Sequence, residues 1–182
     1  MEIMPIHDIL HFWFEELTDR QHFLKDPELD VSMRKRFGDT LEAATRAELF
    51  SWRSTPSGRL AEIVVLDQFS RNIFRDTPRA FAQDTLALVL AQELVASGLD
   101  QSLPLKQRSF AYMPYMHSES LLIHTQAVAL FSQPGMETNL DFELRHKAII
   151  ERFGRYPHRN QILDRASSAL EIAFLSEPGS SF

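Results

Sequence analysis

The stretch TPRAFAQDTLALVLAQELVASG, residues 77–98, decides the fold class. Thr77-Pro78 reads as a capping residue followed by proline at the first helical position, where a missing N–H costs nothing. Gly98 reads as the stop. Between them Phe81, Leu88, Ala91, Leu94 and Val95 recur at three- and four-residue spacing, the period of a helix that buries one face. This predicts the longest helix of the chain. Its most apolar part, Leu86 to Leu99, is interrupted by Gln92 and Glu93 and is too short and too polar to span a bilayer.

The same signals extend in both directions. Upstream, Pro5 opens a helix to about Leu17 with Ile6, Ile9, Leu10 and Trp13 on one face. Asp26-Pro27 starts a second towards Phe37, which Gly38 ends, and Asp39 or Thr40 caps a third to about Trp52. Thr55-Pro56-Ser57-Gly58 reads as a turn, with a fourth helix from Arg59 through Asp67 towards Phe74. Downstream, Pro104 and Pro114 bracket a short helix around Phe110, and another runs from Ser118 to Phe131. Asn139 or Asp141 opens a helix that ends near Phe153-Gly154, a turn follows from His158 to Leu163, and Ser168-Ala169-Leu170-Glu171 is a capping box. The tail from Glu177 to Phe182 is expected to fray. Long alternating patterns are missing. The expectation is an all-α fold of eight to ten helices in antiparallel hairpins, a single domain over residues 1–182, either an α-α superhelix or a compact bundle. No repeat of fixed period is visible.

Composition narrows the function classes. With 44% hydrophobic and 24% charged residues the chain reads as globular, and zero Cys excludes disulfides, thiolate nucleophiles and Cys-based zinc sites. Met1-Glu2-Ile3-Met4-Pro5 lacks a basic region and makes a poor signal peptide, so a soluble, cytoplasmic protein without a membrane partner is expected. The net charge of −6 is uneven. Residues 1–50 hold 11 acidic against 6 basic side chains, a net of −5, whereas residues 145–165 hold 6 basic against 2 acidic, a net of +4. A basic island on an acidic chain suggests a local anion site; the alternative is a solvated helix face of ordinary ion pairs. No aromatic and basic interleaving points to nucleic acid.

Three segments carry more polar chemistry than packing requires. In Leu66–Arg75, Asp67, Arg71 and Arg75 would form one helical stripe, and Gln68 and Asn72 a second. In Tyr112–Ser120, His117 stands at an expected helix start beside Ser118 and Glu119, and is suited to proton transfer near neutral pH. His124 lies two turns on, about 10 Å away, too far to share one metal ion, and no HExxH pattern, phosphate loop or nucleophile motif occurs, so no metal and no cofactor is expected. In His146–Asn160, Gly154 releases a helix and Pro157 delays the next, displaying Arg155, His158, Arg159 and Asn160 around a bend where arginine forks suit a carboxylate or phosphate. The bland alternative is that these arginines lock the C-terminal helices to acidic partners such as Asp67 or Asp84.

His11-Phe12-Trp13-Phe14, Gly58-Arg59-Leu60-Ala61, Leu66 through Arg75, Met113-Pro114 with His117-Ser118-Glu119, and Arg152-Phe153-Gly154-Arg155-Tyr156-Pro157-His158-Arg159-Asn160 together resemble, in order and over nearly the whole chain, the bacterial domain-of-unknown-function 924 family. The resemblance implies an all-helical fold similar to tetratricopeptide-repeat superhelices. It implies no activity or catalytic residues. In the pattern it resembles, Leu-Gly-Arg follows Pro-His-Arg-Asn; here the residues are Leu163-Asp164-Arg165, and Asp164 is expected to alter the turn that positions Arg165. The element after it, Ser-Thr-x-Glu-Glu in that pattern, is here Ser167-Ser168-Ala169-Leu170-Glu171.

Two functions follow. The first is a module that binds an anionic small molecule or acidic peptide group through Asp67, Arg71, Asn72, Arg75, His117, Glu119, Arg155, His158, Arg159 and Asn160. The second is a metal-independent hydrolase or transferase with His117 or His158 as general acid or base.

Overall fold

The computed structural model describes residues 2–181; Met1 and Phe182, which belong to the leader and tail expectations, lie outside it. Helix makes up 71%, and no strand occurs among the described residues. In chain order the α-helices are α1 (Ile6–His11), α2 (Asp19–Phe23), α3 (Pro27–Thr45), α4 (Pro56–Val64), α5 (Ser70–Ile73), α6 (Asp84–Ala96), α7 (Leu105–Met116), α8 (Leu121–Phe131), α9 (Glu137–Phe153) and α10 (Ala169–Leu175). One π turn, Phe12–Glu16, extends α1, and another, Val65–Phe69, joins α4 to α5.

Several boundaries differ from the sequence expectation for identifiable reasons. The helix opened by Asp26, whose side chain accepts the N–H groups of Glu28 and Leu29, does not stop at Gly38. Its buried face of Met33, Phe37, Thr40, Leu41 and Ala44 runs across the glycine, making α3 the longest helix. Asp39 and Thr40 cap nothing; their side chains accept the backbone N–H groups of Glu2 and Met4. Thr55 caps α4 by accepting from Gly58 N at 3.1 Å, so the TPSG segment is a helix start rather than a turn. Residues 77–98 form two pieces, because Thr77 Oγ1 donates to the Phe74 carbonyl instead of capping. A 3₁₀ turn at Pro78–Ala80 precedes α6, and Gly98, at φ 70°, does follow it. Pro114 lies inside α7, where the removed N–H is tolerated because Phe110 to Met116 are all buried. His117 therefore caps the C-terminus of α7 rather than opening α8, and meets the negative end of a helix dipole.

The helix α4 sits at the centre, packed on α1, α6 and α7, while α6 and α7, α7 and α8, and α8 and α9 pack as successive pairs. The main core holds Trp13, Phe37, Leu41, Ile63, Phe69 and Tyr112 among its fully buried side chains. A separate small cluster of Ile149, Ile150, Tyr156 and Phe174 anchors the C-terminal part. Gly154, left-handed at φ 68°, turns the chain out of α9 as its sequence implies. Ser168 and Glu171 form the expected capping box. The tail does not simply fray: Ser180 is buried and its hydroxyl donates to the Leu175 carbonyl.

Candidate functional site

The seam between the main core and the C-terminal cluster holds a buried polar network centred on Asp67, on the π turn that joins α4 to α5. π turns recur at functional positions because they re-aim side chains that a regular helix would bury or expose in sequence. Asp67 is fully buried. Its Oδ1 lies 2.7 Å from His117 Nδ1 and accepts from Arg71 Nη1 at 3.1 Å, while Arg71 Nη1 also donates to the Asp67 carbonyl at 2.8 Å. Gln68 donates to the other carboxylate oxygen. Arg71 forks onto Asp84, at the first residue of α6, with bonds of 2.8 and 3.0 Å. Arg159 reaches the same carboxylate at 3.1 Å and donates to the His117 carbonyl at 3.0 Å. Its guanidinium carbon lies over the Phe81 and Tyr156 rings, 4.6 and 4.7 Å from their centroids, and its Nε is buried without a hydrogen-bond partner.

Charge assignments follow from these contacts. Burial alone would raise the Asp67 pKa, but the charges of Arg71 and His117 and the hydrogen bonds outweigh it and hold the carboxyl down at about 2. Asp67 is therefore an anion and accepts from His117 Nδ1–H. Burial, reinforced by Arg71, lowers the His117 pKa against the pull of Asp67. The neutral imidazole with its proton on Nδ1 leaves Nε2 as a lone-pair acceptor, for which no hydrogen bond is found among the described residues. Burial opposes a charged Arg71, yet Asp67 and Asp84 raise its pKa overall. Burial and then Arg71 lower that of Arg159.

Arg71, Asn72, Arg75, His117, His158 and Arg159 of the expected set line one cleft of about 710 Å³, with Asp67 immediately behind Arg71 and His117. A smaller cavity of about 290 Å³ lies beyond, sharing Phe81, His117 and Arg159 as its wall. Within the cleft wall, Arg75 forks onto Asp30 and Asn72 donates to the same carboxylate. The expected stripe stops at Arg71 because α5 ends at Ile73, leaving Arg75 beyond the helix.

Arg155, Glu119 and Asn160 do not line this cleft, although Glu119 lines the smaller cavity. Arg155 forks onto Glu171 and donates to the Ala166 carbonyl, fastening α10. Glu119 pairs with Arg165 at 2.7 and 2.9 Å and accepts Tyr156 N–H. Asn160 bonds Ser167 and accepts from Arg165 Nε. The basic island divides in the same manner, with Arg145 on Asp141 and Lys147 on Glu151. Asp164 takes the left-handed conformation, φ 53°, that a glycine would adopt, so the turn is kept and Arg165 is held by Glu119, Asn160 and the Tyr156 carbonyl. The expectation that Asp164 disturbs Arg165 is thereby corrected.

Sequence reasoning passed over Phe81, Tyr156 and His146, which also line the cleft, and treated Asp84 only as a possible ion-pair partner. Phe81 reads as core from periodicity; Tyr156 and His146 sit inside the third polar segment, where only their neighbours stood out. Burial pushes His146 down to about 3 and His158 down to about 4, so both are neutral rings at pH 7. Burial lowers the His117 pKa in the same direction; what distinguishes it from His158 is the Asp67 carboxylate that holds its Nδ1 at 2.7 Å. Among the described residues no three His, Asp or Glu side chains are arranged to hold a metal ion, and no helix is long and apolar enough to cross a membrane.

The comparisons with known proteins agree on kinship. Residues 9–179 match the family model described as bacterial protein of unknown function, DUF924. A solved structure, the protein of unknown function ATU0120 from Agrobacterium tumefaciens, is 37% identical, covers 94% of this chain and 96% of its own, and superposes with a TM-score of 0.89. No curated protein matches. The chain belongs to the DUF924 family of bacterial proteins of unknown function.

Proposed function

We propose that the cleft binds a small molecule carrying a carboxylate or phosphate, with Arg159 as its principal donor and His117 beside it. The observation that carries this reading is Arg159 itself. It is buried in the cleft wall beside the Phe81 and Tyr156 rings, and its enclosed Nε has no hydrogen-bond partner. Unsatisfied buried donors are rare in folded proteins, and a preorganised guanidinium loses little freedom on pairing with an acid. The cleft volume of about 710 Å³ falls within the range used for metabolite-sized ligands. This reading takes the chain as one domain and its successive hairpins as a tetratricopeptide-like arrangement in a cytoplasmic protein. An acidic peptide terminus would present the same carboxylate.

The test is a melting-temperature screen of matched acids and their amides. Acids should raise the melting temperature of the wild type and amides should not, and Arg159→Gln should remove the difference. Equal shifts for acid and amide would sink the proposal.

A second reading rests on the 2.7 Å His117–Asp67 contact. A carboxylate that fixes the tautomer of a neutral histidine with an unpaired Nε2 is the arrangement of a general base. It would make the protein a hydrolase or transferase. Turnover across ester, amide and phosphoester panels, lost in His117→Ala with ligand affinity retained, supports it; a wild type that turns over nothing ends it.

A further inference from the structure

We infer that the ligand of this cleft is a planar aromatic acid, which rests on the acid-binding reading above and adds the shape of the body attached to the acid. The kind of apolar surface in the cleft carries the inference. His22, Phe23, Phe81, Phe142, Tyr156 and His158 present rings, and Met113 and Met116 present thioethers, whereas Leu24, Ala80 and Ile162 are the aliphatic contributions. Any apolar wall favours a hydrocarbon chain in proportion to buried area. Rings and thioethers add orientation-dependent attraction that only a π partner returns.

Three further features agree. The Arg159 guanidinium carbon lies 4.6 Å from the Phe81 ring centroid and 4.7 Å from that of Tyr156, so an acid at Arg159 sits beside aromatic side chains. The His158 ring lies 5.6 Å from that of Tyr156 and the His146 ring 5.7 Å from it, giving one continuous aromatic wall. Phe23 and Phe142 remain 69% and 44% exposed where they line the cleft, although rings of that size are ordinarily covered. A flat ligand with its acid at Arg159 would cover ring surface that the protein leaves in water.

The experiment is isothermal titration of the full chain with 2-naphthoate, decanoate, 2-naphthylmethanol and inorganic phosphate. The inference expects 2-naphthoate to bind at least about tenfold more tightly than decanoate and 2-naphthylmethanol, a difference of roughly 1.4 kcal/mol. Arg159→Gln should lower naphthoate affinity about tenfold or more and leave the alcohol unchanged. Because Arg159→Gln also removes a buried pairing with Asp84, Phe142→Ala provides a second arm on an exposed ring. It should weaken naphthoate and leave phosphate unaffected. Decanoate binding as tightly as naphthoate, or phosphate binding while naphthoate does not, overturns the aromatic inference and leaves the acid reading in place. Equal binding of the alcohol and the acid, or no binding by any probe, overturns both.

Discussion

At the residue scale the account turns on His117 and its neighbours. The largely buried cluster of Asp67, Asp84, Arg71 and Arg159 is already neutral with His117 uncharged, so an incoming acid adds one negative charge to it. Protonation of His117 restores the balance, and the C-terminus of α7 favours that imidazolium. Acid binding at pH 7 should therefore take up protons, and affinity should strengthen as pH falls until His117 is protonated in the free protein. Titration calorimetry in buffers of different ionisation enthalpy measures the uptake; a value of zero would contradict it. Asp67→Asn should destabilise the fold by about 3 kcal/mol in urea, because it withdraws one partner from the buried Arg71 while Asp84 remains. Asp164→Gly should raise stability by about 1 kcal/mol, since the left-handed φ of 53° is a conformation glycine adopts without penalty.

At the scale of elements, the sequence marks some helix starts, but Asp39, Thr40 and Thr77 are false ones, and it does not mark where a continuous helix passes through a nominal stop. Asp26-Pro27, Ser168 with Glu171, and Gly154 do what local chemistry dictates, because each acts within one turn. Gly38 and Pro114 do not break their helices, because buried faces on either side outweigh a local penalty of about 1 kcal/mol for glycine and about 3 for proline. The π turn at Val65–Phe69 has no readable signal, although it sets the position of Asp67. Gly58 is different in kind. A Cβ there would lie 2.0 Å from the Trp52 carbonyl oxygen, so the start of α4 and the preceding 3₁₀ turn can approach only through glycine. Gly58→Ala should cost at least about 1–3 kcal/mol, read as a lower urea midpoint, whereas an alanine that left the midpoint unchanged would show that the two segments can separate freely.

For the whole molecule, buried imidazoles set the response to pH. Burial lowers the pKa of His22, of His117, of His146 to about 3 and of His158 to about 4, so the unfolded chain binds protons that the folded chain refuses. Stability should fall as pH drops from about 6.5 towards 4, by on the order of 1.4 kcal/mol per pH unit for each histidine that stays neutral. Glu143, raised by burial, works in the opposite sense but offers one group against four. His146→Phe should flatten the slope, and a urea midpoint independent of pH in that window would refute the assignment.

The all-α class was legible from helical periodicity, and so were four members of the network, Asp67, Arg71, His117 and Arg159. Which arginines stay near open space was not. Arg155 and Arg159 stand four residues apart in one motif, yet a glutamate in α10 claims the first and an aspartate 75 positions away shares the second. Only the tertiary path of the chain decides such partners. The most direct measurement is a crystal structure with whichever acid gives the largest thermal shift. The account predicts its acidic oxygens within about 3 Å of Arg159 and facing His117 Nε2; an acid bound elsewhere, with Arg159 unmoved on Asp84 and the cleft empty, would contradict it.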